Sequence, residues 1–402
     1  MELYLQFGYG MMEHCRALLS SWGGGTAILS PRDLTDDQLR RLGADLANVS
    51  GAESLLDPQL YLPHSDHKKL CKHDYWPKDY ETSVFWQGPL LSALLRDLGT
   101  LNRVVGCKRM IIPGLFASAI DEDWLETQRA ILEEARAVEK TLPLIATIAL
   151  SAEAVQNTEQ VSLLLERAEE WKAEAYYLVC EHPDGQYLVN DPNWLANVLD
   201  ISAGLRLNGA KVILGYCTHQ MLLAGAAKVN AVASGTWMNV RSFPPAKFIT
   251  AYEDEIKQRT TWYYCAQAMS EYKIPFLDIA HRLGIIGLMA PAANLDGGYV
   301  ANLFGGAQPS TVGFTEQAAF RHYLHALRAQ VQNLSQTSLS SALASHQKTL
   351  DDAETLLQRL RGSNVSGQLR DFHQLVDVNR AALGLFSSLR GPILSRMWNS
   401  IE

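Results

Sequence analysis

The sequence predicts a parallel (β/α)8 barrel of the TIM type, and three observations favour it. Short apolar runs alternate with amphipathic helical segments eight times along the first 250 residues. The runs at 211–216 and 230–235 are fully apolar and flank one short helix, which is typical of parallel strands covered on both faces. No strand is followed by G-x-G-x-x-G or by a phosphate-binding loop. An open doubly wound sheet is therefore the second choice.

The predicted strands are bounded by turn residues and separated by segments with helical periodicity. They cover 3–8, 26–30, 54–57, 109–114, 142–150, 175–181, 211–216 and 230–235. Thr35 and Gln38 have the spacing of a capping box, which predicts the start of the second helix. Gly209 is expected to end the helix before the seventh strand in a left-handed conformation.

The pattern divides the chain into three regions. We expect the barrel in 1–250, and a barrel-closing helix followed by an irregular Gly-rich extension in 251–314. From 315 to 402, apolar residues recur at three- and four-residue spacing, which predicts a helical C-terminal appendage. This appendage either packs on the barrel or serves in assembly with a protein partner.

Composition limits the class of protein. A net charge of -8 argues against a protein held to nucleic acid mainly by phosphate contacts. No apolar run reaches the roughly 18 residues that a membrane span requires, and the first residues lack a basic signal region. The six cysteines are widely spaced, as in a reducing compartment. We therefore expect a cytoplasmic protein without membrane contact.

Polar side chains collect where the predicted strands end, which is the catalytic face of such barrels. Asp57 could act as a general base or could simply cap its own turn. Glu181, followed by His182, is a second inward carboxylate that would be costly to bury without a partner. Two such carboxylates could also form a glycosidase pair.

Two further groups are candidates for ligand binding. Arg241 with the backbone of Gly235 could hold a phosphate, or it could pair with a neighbouring acid. A loop after the third strand contains zinc-ligand types at spacings that match no standard zinc pattern, so a covering loop is the alternative. Its residues of this kind are His64, His67, Cys71 and His73. We assign no metal and no cofactor.

Three segments resemble the queuine/archaeosine tRNA-guanine transglycosylases and their DNA-modifying relatives. LGYCTHQMLLAGAAKVNAVASGTWMNVR is similar to the end of that family's barrel, LVCEHP to its sixth-strand segment, and LLDPQLY to its base-contacting strand. The resemblance implies a (β/α)8 barrel that binds a 7-deazaguanine-like base and exchanges it at a glycosidic bond. Asp57 would contact the base. Ser234 stands where the family has its nucleophilic aspartate, and the family's cysteine-rich zinc site is absent.

The leading hypothesis is an enzyme that acts on a nucleoside or nucleic-acid base. Asp57, Glu181 and His182 would be catalytic. The residues expected to bind substrate are Tyr61, His219, Ser234, Gly235 and Arg241. The alternatives are a non-catalytic barrel subunit or adaptor of a nucleic-acid-processing or defence complex, and a glycoside hydrolase. The expected partners are a nucleic acid or nucleobase, and a protein bound through the C-terminal region.

Overall fold

The structure is a computed structural model that describes residues 1–78, 80–81, 85–249, 260–334 and 336–401. Its centre is a curled parallel sheet. The strands are β1 (Glu2–Gln6), β2 (Gly25–Leu29), β3 (Ala52–Leu56), β4 (Met110–Ile111), β5 (Phe116–Ala117), β6 (Leu144–Leu150), β7 (Ala175–Cys180), β8 (Lys211–Leu214) and β9 (Ala231–Ser234). Each lies within or overlaps a predicted strand, except β5, which is an additional short strand.

The strand order is β3-β2-β1-β9-β8-β7-β6-β4, with β5 pairing farther along β6. The first and last strands of the series are therefore neighbours, with Leu3 paired to Val232 and Leu5 to Ser234. A sheet whose last strand, β9, pairs with β1 has the strand order of a barrel. In the described residues, however, no ladder joins β3 to β4 or β5. The parallel curled sheet is confirmed, and full closure is not.

Eleven helices are described, and most connect successive strands. They are α1 (Met12–Trp22), α2 (Asp36–Ala47), α3 (Pro89–Val105), α4 (Glu122–Val138), α5 (Ala152–Gln156), α6 (Thr158–Trp171), α7 (Pro192–Leu207), α8 (Ile274–Arg282), α9 (Glu316–Asn333), α10 (Leu339–Gly362) and α11 (Leu375–Met397). The connection between β8 and β9 is a 3-10 helix, His219–Ala227, rather than an α-helix.

Local signals place several of these boundaries. Thr35 and Gln38 form the predicted capping box at the start of α2. Thr218 accepts a hydrogen bond from the Gln220 amide and so caps the 3-10 helix. Gly209 follows α7 with a φ of 86°, a left-handed conformation that glycine adopts at little cost. The predictions at Thr35 and Gly209 are confirmed.

The barrel-closing helix predicted after residue 250 is wrong from Trp262 onward. Residues 250–259 lie outside the described part of the chain. Beyond them, β10 (Trp262–Cys265) and β11 (Ser270–Lys273) form an antiparallel hairpin. Aromatic residues such as Tyr263 and Tyr264 favour strands, and both are buried in the hairpin.

The helical C-terminal region packs on the sheet domain. α9 lies against α1, where the Trp22 indole donates to His325 at 3.3 Å and His14 stacks edge-on with Phe320. α11 covers α7, and the Arg390 guanidinium donates to the Asp200 carboxylate. This cover explains why α7 is buried along almost its whole length. The region is therefore part of the fold.

One face of α11 remains exposed. Its apolar side chains recur every four residues, at Leu385, Leu389, Ile393 and Met397. Side chains at this spacing lie on one side of a helix. The protein partner expected for this region stays a prediction.

We expect Gly235→Ala to lower the free energy of unfolding by about 1–3 kcal/mol, because overpacking strains a filled core. A Cβ atom at Gly235 would lie 2.4 Å from the Gln6 carbonyl oxygen and 2.5 Å from a methyl carbon of Val240. Gly287→Ala is the matched control, since nothing lies within 4 Å of its added carbon. Urea denaturation of both variants measures the difference, and equal stabilities would contradict the prediction.

Candidate functional site

The strand ends carry a buried polar group that we call the axial cluster. Its members share the interior of the curled sheet, and they are Gln6, Asp57, Gln59, Tyr61, Tyr177, Tyr216 and Lys247. The Tyr177 hydroxyl, from β7, donates to the Gln6 side chain at the end of β1 at 2.9 Å. β8 and β9 lie between these two strands in the sheet. Only the interior of the curve can bring their side chains together.

Asp57 is the centre of the axial cluster and is fully buried. The Tyr61 hydroxyl lies 2.9 Å from both of its carboxylate oxygens, and the Tyr216 hydroxyl donates to Oδ2 at 2.9 Å. The backbone N–H of Gln59 donates to Asp57 Oδ1 at 3.0 Å, which is the turn-capping contact expected of an aspartate before proline. The Tyr177 hydroxyl lies farther away, at 3.5 Å from Asp57 Oδ2. Asp57 therefore has both roles considered from the sequence: it caps its turn, and it occupies the strand-end interior.

Burial raises the pKa of Asp57 from 3.8 to about 6, because the carboxylate has lost its hydration. The hydrogen bonds from Tyr61, Gln59 and Tyr216 and the charge of Lys247 oppose this rise. The Lys247 ammonium is also buried, donates to the Asn239 carbonyl at 2.6 Å and lies 4.0 Å from the Tyr216 ring centre. A carboxyl group with a pKa near 6 can exchange protons at neutral pH.

Aromatic side chains seal the axial cluster from solvent. Phe243 and Phe248 pack on the Tyr61 ring, with centroid distances of 4.9 and 5.0 Å. The Gln6 side-chain Nε2 is buried without a hydrogen-bond partner among the described residues. An unsatisfied buried donor is costly, so this atom is a place where a bound oxygen would be stabilising.

A second buried group, the arginine cluster, joins the strand ends to the C-terminal region. It consists of Tyr187, Arg241, Glu271, Tyr323 and Arg370. The Glu271 carboxylate accepts from Arg241 at 3.2 Å, from Arg370 at 2.8 Å and from the Tyr187 hydroxyl at 2.6 Å. The Arg241 guanidinium lies 3.4 Å from the centre of the Tyr323 ring. The two arginines hold the pKa of Glu271 at about 2 against the effect of burial.

The predicted phosphate site at Arg241 is therefore not what the structure shows. The guanidinium is buried and already donates to the Gly235 carbonyl, the Tyr187 hydroxyl and Glu271. The sequence alternative, a salt bridge to an acid, is the observed arrangement. Ser234 is fully buried at the end of β9. Gly235 was expected to bind substrate, but the structure packs it closely against Gln6.

His219 also lies by the arginine cluster rather than in an open site. Its ring packs against Tyr264 and Phe372, with centroid distances of 4.9 and 6.0 Å. Burial lowers its pKa to about 4, so the imidazole is neutral at physiological pH.

Glu181 and His182 are not in contact with Asp57. Glu181 is partly exposed and accepts from the Ala152 amide at the start of α5, at 3.4 Å. Burial of its carboxyl group raises the pKa of Glu181. The His182 Nδ1–H donates to the Gln186 carbonyl at 2.8 Å, and the imidazole packs on Trp194. The Asp57 and Glu181 carboxylates have different hydrogen-bond partners, and the predicted carboxylate pair stays a prediction.

The loop after β3 is held by structural contacts. The His73 ring bridges the Asp36 carboxylate and the Pro31 carbonyl, at 2.5 and 2.9 Å. His64 packs edge-on against Tyr80. Across the part of the chain that the structure describes, no three His, Cys, Asp or Glu side chains converge as metal ligands.

Sequence reasoning missed several members of both clusters. Tyr177 and Tyr216 read as ordinary strand residues, although their position near strand ends was a usable signal. Lys247, Glu271 and Arg370 lie outside any strand of the parallel sheet, and nothing in the local sequence connects them to it.

No family model matches the chain, and no curated protein matches it. Solved structures show weak likeness. A provisionally named lyase/mutase from Burkholderia cenocepacia J2315 has 14% identity and a TM-score of 0.33, with 58% of this chain and 76% of that chain covered. The carboxyl transferase domain of Rhizobium etli pyruvate carboxylase with 3-bromopyruvate has 11% identity and a TM-score of 0.35, with 98% and 78% covered. The same domain with pyruvate has 13% identity and a TM-score of 0.33, again with 98% of this chain and 78% of that chain covered. Likeness at this level identifies neither family nor function.

The predicted function as a base-acting relative of the tRNA-guanine transglycosylases is wrong. No family model and no curated protein of that family matches the chain. The geometry gives a physical reason, since Asp57 is sealed by Tyr61 and the phenylalanines around it and presents no open surface to a base carried on a polynucleotide. A nucleic-acid or nucleobase partner is not tested by these findings and stays a prediction.

Within the described residues, no helix combines the length and the hydropathy needed to cross a membrane. The cytoplasmic location expected from the sequence stays a prediction.

Proposed function

We propose that the chain is a proton-transfer enzyme in which Asp57 is the general base. The observation that carries the proposal is a carboxyl group at a strand C-terminus whose pKa is about 6 and which lies beside a buried lysine. Perturbed pKa values concentrate at functional sites, and strand C-termini are where barrel enzymes place their chemistry. The closed (β/α)8 barrel belongs to this proposal. The Arg109–Glu53 ion pair at 2.8 Å and the hydrogen bond from the Phe116 amide to the Tyr61 carbonyl at 2.9 Å support closure across the gap.

The chemistry that suits this cluster is removal of a proton beside a carbonyl group. Asp57 takes the proton as the carbon–hydrogen bond breaks, and the electron pair moves onto the carbonyl oxygen to form an enolate. The Lys247 ammonium is the group that can stabilise that negative oxygen, since the single proton of the Tyr216 hydroxyl is donated to Asp57. Gln6 Nε2 offers a further donor. The substrate class is therefore a small carbonyl compound.

Substrate access requires the Phe243 and Phe248 side chains to leave the Tyr61 ring. Both belong to the segment that follows β9, where the 3-10 helix Pro245–Phe248 is short. Exclusion of water by such a cover would strengthen the electrostatic interactions inside.

Deuterium exchange tests the proposal. The protein is incubated with pyruvate or acetone in deuterium oxide, and loss of the α-proton signal is followed by proton NMR. We expect exchange to rise with pH through about 6, since the base must be ionised, and to fall by about 100-fold or more in Asp57→Asn. Glu181→Gln is the matched control, because that carboxylate lies outside the axial cluster. Equal exchange rates in the wild type and Asp57→Asn would contradict the proposal.

A further inference from the structure

A cavity of about 230 Å³ lies between the parallel sheet domain and the C-terminal helices, and none of its lining residues belongs to either buried cluster. Its walls come from the 3-10 helix after β8, the turn of the β10–β11 hairpin, a loop at 294–295, and helices α9 and α10. The lining residues are Leu222, Ala266, Gln267, Asn294, Leu295, Gln330, Asn333, Leu334, Ser345, His346, Thr349 and Asp352. Ligand sites often occupy such a junction between structural units.

The polar part of this lining is almost entirely uncharged. Among the described residues, the lining contains four side-chain amides, two hydroxyls and one imidazole, and it contains no lysine or arginine. The single carboxylate, Asp352, is paired with Lys348 at 2.8 Å. A phosphate or carboxylate ligand would find no counter-charge on these walls. The cavity therefore suits a neutral ligand.

Several polar atoms of the lining have no hydrogen-bond partner within the part of the chain that the structure describes. His346 is almost fully buried, and its Nε2 has no hydrogen-bond partner among the described residues. Burial lowers its pKa to about 4, so it is neutral and offers one donor and one acceptor. The amides of Asn294 and Asn333 make no hydrogen bond to the described residues, and both residues are exposed at the mouth. A buried polar atom without a partner is costly unless a ligand or water satisfies it.

Other lining residues are held in place by the protein. The Gln330 amide accepts from the Tyr264 hydroxyl at 2.9 Å and donates to the Ala266 carbonyl at 3.1 Å. The Gln267 amide donates to the Ala290 carbonyl at 2.6 Å. These contacts hold the Gln330 and Gln267 side chains in place. Asn294, Asn333 and His346 Nε2 make no such contact with the described residues and can bind a ligand.

We propose that this cavity binds a single monosaccharide ring. A dry cavity of about 150 Å³ can hold a benzene molecule, so about 230 Å³ is enough for one substituted ring. Among the described residues no Phe, Tyr or Trp side chain lines the cavity, so a flat nucleobase would have only the His346 imidazole as a stacking surface. The aliphatic side chains of Leu222, Leu295 and Leu334 can contact the C–H face of a sugar, and the free amides can bind adjacent hydroxyls.

Calorimetric titration of the full chain with glucose, galactose and ribose tests this site. We expect at least one of the three to bind, and glucose 6-phosphate and uracil to bind more weakly than that sugar. Asn333→Leu and Asn294→Leu should each weaken sugar binding about tenfold, which is the effect of losing one hydrogen-bonding side chain. Gln332→Leu is the matched control, an exposed amide on the same helix that does not line the cavity, and it should leave the affinity unchanged.

Three results would overturn the proposal. The first is no binding of any of these sugars at about 50 mM. The second is binding that Asn333→Leu and Asn294→Leu leave intact. The third is stronger binding of glucose 6-phosphate or uracil than of every sugar. Because both asparagines are exposed, their variants should fold, and circular dichroism verifies this. Deuterium exchange at the axial cluster is a separate measurement, so failure of one proposal does not decide the other.

Discussion

Glu271→Gln is expected to lower the free energy of unfolding by about 3–5 kcal/mol at pH 7, the range for removing one partner from a buried ion pair. The substitution keeps the shape of the side chain but removes its charge. Arg241 would then be a buried cation without a counter-ion, and Arg370 would lose its 2.8 Å contact. Urea denaturation followed by tryptophan fluorescence measures the change.

The matched control for this prediction is Glu354→Gln. Glu354 also binds an arginine, Arg380, at 2.7 Å, but both side chains are partly exposed. Removal of such a pair should cost about 1 kcal/mol or less, because water screens it. If both glutamine variants were equally stable, the arginine cluster would not have the structural role assigned to it.

The same cluster predicts a loss of stability in acid. The folded-state pKa of Glu271 is lowered from 4.5 to about 2, so its ionised form stabilises the fold at any pH above 4.5. This contribution is lost as the pH falls from 4.5 through 2. At about 1.4 kcal/mol per pKa unit, it amounts to roughly 3 kcal/mol. The acid sensitivity should be reduced in Glu271→Gln.

Asp57→Asn is expected to stabilise the protein at pH 8, by up to about 3 kcal/mol at 1.4 kcal/mol per pKa unit. The folded-state pKa of Asp57 is raised from 3.8 to about 6, so the fold favours the protonated form. The wild type therefore loses stability as the pH rises from 3.8 to 6, and the loss is complete above that range. Asparagine has no charge to bury and should remove this dependence.

Denaturation midpoints of the wild type and Asp57→Asn between pH 4 and pH 8 measure this effect. The two stabilities should converge near pH 4 and separate towards pH 8. A variant that is more stable and yet inactive in deuterium exchange would have the pattern of a functional residue kept at the expense of stability. If Asp57→Asn is destabilised at every pH, the hydrogen bonds from Tyr61 and Tyr216 outweigh the burial of charge, and Asp57 is structural.

Local patterns were sufficient for the elements that local physics controls. Apolar runs predicted the positions of the parallel strands, because a strand buried on both faces must be apolar along its length. Thr35 and Gly209 predicted helix boundaries, since capping depends on residues a few positions apart. The β10–β11 hairpin was missed because its aromatic residues also fit a helical spacing.

The partners of the candidate residues could not be read from the sequence. Asp57 was identified by its place after the third strand, but its contacts with Tyr177 and Tyr216 join positions more than 100 residues apart. Arg241 was assigned to a phosphate, and the acid that it binds, Glu271, lies on a hairpin that the sequence did not predict.

The sequence by itself therefore determined the alternation of strands and helices and the residues that follow each strand. The tertiary structure alone decided which of those residues meet, which are buried and how their pKa values change. The physical reason is that strand and helix preferences act over a few residues, whereas burial and charge pairing depend on segments that only the folded chain brings together.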